Sequence, residues 1–94
     1  MRNNRDYLLP VSGKAELDPA RLPGVALIEI CGQRQVLIEN HAGVRAYDTL
    51  QVLVNIKGGY LCVCGESLRL CFMSRERLVI RGKIHSISFG EMGV

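Results

Sequence analysis

From Val25 onward, apolar and polar residues alternate with a period of two in short runs, the pattern of strands buried on one face. The first run is Val25–Cys31, closed by Gly32, and the second is Gln35–Asn40, with Val36 and Ile38 opposed to Leu37 and Glu39. His41-Ala42-Gly43 reads as a tight turn into Val44–Tyr47. In Leu50–Lys57, Leu50, Val52, Val54 and Ile56 make one apolar face. Gly58-Gly59 then signals a hairpin, because glycine accepts the positive φ of a primed turn.

Tyr60–Cys64 returns with Leu61 and Val63 on one side and Cys62 and Cys64 on the other. Gly65-Glu66-Ser67 reads as the next turn, and Leu68, Leu70 and Phe72 share a face in the run that follows. After Ser74-Arg75-Glu76 comes Arg77–Phe89, whose apolar phase changes between Ile84 and Ile87 and predicts a bulge at Gly82 or Ser86. Connections this short join only antiparallel neighbours. The expected fold is all-β: an antiparallel meander of about seven to eight short strands, curled into a roll or barrel or stacked as a sandwich.

Residues 1–21 lack that period and contain Pro10 and Pro19. They are expected to form a partly ordered arm, with one helical turn opened by Asp18-Pro19, ahead of a single β domain over residues 22–94. Arg2 and Arg5 precede only Tyr7–Val11, which Pro10 breaks, so the start is a poor secretory signal. No apolar run approaches the roughly eighteen residues that span a bilayer. A cytoplasmic chain with no transmembrane segment of its own is the expectation.

Composition sharpens this only slightly. Aromatic residues are 5% of the chain and Trp is absent, so the core must come from Val, Ile and Leu, which suits strands. The net charge of +3 is below the basic density of a dedicated nucleic-acid binder.

Candidate chemistry is sparse. His41 and His85 have no nucleophile at a telling spacing, and no phosphate-binding loop or hydrolase motif is present, so no catalytic residue is assigned. Cys62, Cys64 and Cys71 are the only thiols that strand geometry brings near one another. Paired knuckles of zinc sites are absent, and the favoured reading is reduced, half-buried thiols with no metal and no cofactor. Arg77, Arg81 and Lys83 alternate along the last strand behind Arg69 and Arg75, a basic row suited to phosphates of nucleic acid or an anionic membrane surface. No aromatic residue interleaves it for base stacking, so nucleic acid is the less favoured partner.

Leu37-Ile38-Glu39-Asn40-His41-Ala42-Gly43-Val44, preceded by Leu22-Pro23 and Ala26-Leu27-Ile28, resembles the signature of the YabP/YqfC family of sporulation proteins, its YqfC branch in particular. Gly65-Glu66-Ser67-Leu68 and Glu76–Phe89 fit the same pattern. The resemblance implies a small non-enzymatic protein of the mother cell, placed at or near a membrane, that assembles with itself or with a protein partner such as the membrane protein YqfD. The chain departs from the pattern at Arg81, where the family carries an acidic residue, and in its cysteines. Within the matched element, Glu39, Asn40, His41 and Gly43 have two readings. Asn40 and Gly43 suit a turn held by His41, or the polar side chains form a patch that meets a partner; the turn is favoured.

Overall fold

The computed structural model describes residues 23–91, so the expected N-terminal arm and its Asp18-Pro19 turn lie outside the described residues. Six strands form one antiparallel sheet: β1 (Leu27–Cys31), β2 (Gln35–Glu39), β3 (Val44–Tyr47), β4 (Gln51–Ile56), β5 (Gly59–Met73) and β6 (Arg77–Glu91). Their order across the sheet is β1-β2-β6-β5-β4-β3. The chain from β3 to β6 is a meander, as the short connections require, whereas β2 joins the sheet beside β6 instead of beside β3.

The strand count falls below the expected seven to eight because Gly65-Glu66-Ser67 is not a turn. Tyr60–Cys64 and Leu68–Met73 are one strand, β5, that bends through register shifts at Cys64/Gly65 and Glu66/Arg69. Ser67 takes a φ of 54°, and opposite it Gly82 takes a φ of 149°. A Cβ on Gly82 would stand 2.7 Å from the Ser67 carbonyl oxygen and 2.9 Å from the Leu68 Cα. A Cβ on Gly65 would meet the Lys83 carbonyl oxygen. Two long strands thus bend together where glycine lets their backbones touch.

The bend folds the sheet over its own apolar face. Val36, Ile38, Leu68, Leu78 and Ile80 come from one half, and Val52, Val54, Leu61, Val63 and Ile84 from the other; together they form a single buried cluster. No charged or polar residue is buried among the described residues. Two expected inward positions fall outside this core. Leu50 sits in the β3–β4 turn and is 62% exposed. Phe72 is displaced by the register shift between Leu70 and Phe72, which leaves Cys71 unpaired and puts Phe72 opposite Val79 on the outer face.

Side chains close two of the connections. The Asp48 carboxylate accepts from the backbone N–H groups of Leu50 (2.7 Å) and Gln51 (2.8 Å), closing β3 into β4. The Ser74 hydroxyl oxygen accepts from the Arg77 N–H at 3.0 Å in the β5–β6 turn. The β4–β5 turn is Lys57-Gly58, one residue earlier than the expected Gly58-Gly59.

Candidate functional site

The element Glu39–Gly43 is the link between the two halves of the roll, not the tight turn its sequence suggests. The Asn40 N–H donates to the Glu76 carbonyl oxygen at 2.7 Å, extending β2 along the β5–β6 turn. Two residues later the Ala42 N–H donates to Asn55, and the Asn55 N–H returns to Gly43, beside β4. The link thus carries the chain from beside the β5–β6 turn to beside β4.

The polar side chains of this element bond to two parts of the roll, the approach to β1 and the β5–β6 turn. Asn40, at a φ of 63°, donates its amide to the Val25 carbonyl oxygen at 3.1 Å, just ahead of β1. The His41 ring receives the Gly43 N–H on Nδ1 (3.0 Å) and donates Nε2–H to the Ser74 carbonyl oxygen (2.9 Å). Those two bonds define the neutral ring with its proton on Nε2. Glu39 meets Arg77 across the strands at 2.9 Å. Glu39 and Asn40 also line a shallow groove of about 310 Å³ with Phe72, Ser74, Glu76 and Arg77. The bonds hold the crossover together, and the groove is the surface it shows to solvent.

The thiols separate into a pair and two singles. Cys62 and Cys64 lie 3.3 Å apart, S to S, on the outer side of β5, and the Gln51 amide donates to Cys62 at 3.2 Å. The hydrogen bond with Cys62, then burial and the proximity of that thiol, hold the Cys64 thiol above its ordinary pKa. Cys71 is at the bulge beyond the bend, where its thiol faces the Arg69 carbonyl oxygen at 3.9 Å, and it does not join the pair. Among the described residues no three potential metal ligands gather. His41 bonds to Ser74 and Gly43, and His85 to Glu66 at 3.4 Å, so neither ring is hydrogen-bonded to a thiol.

The basic row divides as well. Arg77 is tied to Glu39, and Arg75 sits at the tip of the β5–β6 turn. Arg69, Arg81 and Lys83 instead line an open cleft of about 1040 Å³ at the bend, and Arg34 from the β1–β2 turn joins them. Sequence reasoning missed Arg34. The turn that carries it is pinned by bonds from the Gly82 N–H to the Arg34 carbonyl oxygen (3.1 Å) and from the Ile84 N–H to Gln33 (2.8 Å). The only sequence signal for this placement is Gly82 itself, which marks where the last strand bends.

The fold and these surfaces define a small antiparallel β domain whose polar groups mostly brace a roll and line its outer clefts. No helix long and apolar enough to cross a membrane occurs among the described residues. Residues 24–93 match the YabP family, and the chain belongs to it. No curated protein and no solved structure matches the chain.

Proposed function

We propose that this protein is a non-enzymatic assembly or adaptor component of the sporulation programme, docking by strand pairing to a protein partner or to a second copy of itself. Membership of the YabP family suggests a sporulation-related protein. The observation that carries the docking mode is β1. It is an edge strand with no partner on its outer side among the described residues, and Leu27 and Ile30 on it are 40% and 55% exposed. A free edge offers backbone donors and acceptors in register, and exposed apolar side chains add area to a strand laid against them. The opposite edge, β3, is only four residues long and is interrupted by a register shift at Arg45, a poorer template. The groove at Glu39 and Asn40 opens beside the same end of the sheet and would orient the partner.

The partner that the family resemblance suggests is the membrane protein YqfD, which would place the chain on the mother-cell side, peripheral to a membrane. Light scattering over a range of concentrations, with co-purification of YqfD from co-expressing cells, tests this reading. Wild type is expected to give a dimer or larger species or to retain YqfD, and Ile30→Lys to lose that association at unchanged thermal stability. A strict monomer that retains no YqfD overturns it.

A further inference from the structure

Facing away from the core, β1, β2, β6 and β5 present rows of side chains fixed by their register. One row runs Cys31, Gln35, Arg81, Arg69, and the next runs Glu29, Leu37, Val79, Phe72. The first row opens into the cleft at the bend. Among the described residues, four cations line that cleft, Arg34, Arg69, Arg81 and Lys83, and no carboxylate does. Arg69 and Arg81 are direct cross-strand partners, an opposition of like charges that costs stability. The Arg81 Nε–H donates to the Gln35 amide oxygen at 2.8 Å, a neutral acceptor that orients the guanidinium without offsetting its charge. Carboxylates stand around the cleft without lining it: Glu66, the cross-strand partner of Lys83, is bonded to His85, Glu39 is bonded to Arg77, Glu29 closes the second row at the β1 edge, and Glu76 lies beside Phe72 at the far end of the face.

The second row is mainly apolar and borders the first on the same face. The bulge at Cys71 turns Phe72 outward, 51% exposed, beside the half-buried Leu37 and Val79. We propose that this face docks on an anionic phospholipid surface, with the four cations against headgroup phosphates and Phe72 and its neighbours seated in the interfacial layer. Nucleic acid would use the cations alone, since among the described residues no aromatic side chain lines the cleft for stacking. A free phosphate would likewise leave the apolar row idle. A charged lipid interface uses both, because apolar burial and attraction to anionic headgroups add. This face begins at β1 and shares Phe72 with the groove at Glu39 and Asn40, but its occupant is a lipid surface, so the inference goes beyond the adaptor role.

Co-sedimentation of the full chain with phosphatidylcholine vesicles, with and without phosphatidylglycerol, tests it. Wild type should bind only the anionic vesicles and lose binding as salt rises. Each cation at such a surface contributes about fivefold, so Arg69→Gln with Arg81→Gln should weaken binding about 25-fold. Phe72→Ser should weaken binding with the salt dependence retained. Arg34→Gln, on a turn outside the strands, should cost about fivefold and serves if the strand variants fail to fold. Equal retention on neutral vesicles overturns the proposal, as does anionic binding that none of these variants weakens. Binding of an oligonucleotide or of inorganic phosphate through the same arginines, with vesicles ignored, overturns it too. The vesicles contain no protein, so either outcome leaves the strand-pairing proposal standing or falling on its own test.

Discussion

Asn40 is the residue at which one side chain and one backbone conformation are both indispensable. Its φ of 63° is a region that asparagine tolerates and most residues avoid, and its amide ties the crossover to Val25. Asn40→Gly keeps the conformation, loses that hydrogen bond and adds freedom to the unfolded chain. Asn40→Ala loses the bond and adds about 1–2 kcal/mol of backbone strain. Urea unfolding should therefore rank the three wild type, Gly, Ala, with Ala lowest. A different residue-scale outcome belongs to Cys64. The thiolate is the reactive form, and the Cys64 thiol holds its proton to higher pH than usual, so Cys64 should be alkylated more slowly by iodoacetamide near pH 8 than the exposed Cys31 and Cys71. Peptide mapping of a time course reads this directly. The same shift sets a sign for stability. A thiol whose folded pKa lies above its unfolded one contributes most below the ordinary value of 9.0, and that contribution falls as pH rises through the folded pKa. Cys64→Ser should flatten this alkaline loss.

The bend is the feature of the β5–β6 pair on which everything outside it depends. Gly82→Ala would drive a Cβ into Ser67 and Leu68 backbone at an unfavourable φ, so a loss of about 2 kcal/mol or more is expected in thermal or urea unfolding. Leu68→Ala, which empties a fully buried site at the same bend, should cost about 2–5 kcal/mol. The sequence offered Gly82 or Ser86 as the place of a bulge, from the change of apolar phase between Ile84 and Ile87, and the register shifts of the bend lie beside both. The matching bend on β5 was not legible. Gly65-Glu66-Ser67 has the composition of a turn, and nothing local distinguishes a chain that reverses from one that bends and continues. The fate of Phe72 was hidden for the same reason: a single extra residue at Cys71 inverts every side chain beyond it.

At the scale of the molecule, the all-β class and the antiparallel pairing followed from period-two runs and short links. The position of β2 did not, because its partner is set by which apolar faces meet after the bend, and pairing at long range leaves no mark in a local pattern. The same limit governed the candidate sites. Arg81 and Lys83 could be named from their alternation with Arg77, and Arg69 from its place ahead of that row, but Arg34 reaches them only through the β1–β2 turn laid on β6. Conversely, Glu39, Asn40 and His41 are adjacent in sequence yet bond to two distant parts of the chain, Val25 ahead of β1 and Arg77 and Ser74 at the β5–β6 turn.

The place of β2 beside β6 also dictates an order of events during synthesis. Gln35 must wait for Arg81, 46 residues downstream, before its strand has an inner neighbour. The β1–β2 hairpin leaves the ribosome first, and an isolated two-stranded hairpin is marginal in water. It therefore remains unhoused until β6 has emerged. A chain ending at Met73 should show no protected amides in Gln35–Glu39 by hydrogen exchange, whereas the full chain protects them. Refolding of the full chain should fall in the slow range of non-local β topologies, about milliseconds to seconds. In that interval the apolar side of β2 is open to any other chain nearby, so the step that completes this fold is also the one at which a newly made copy can be caught by a neighbour.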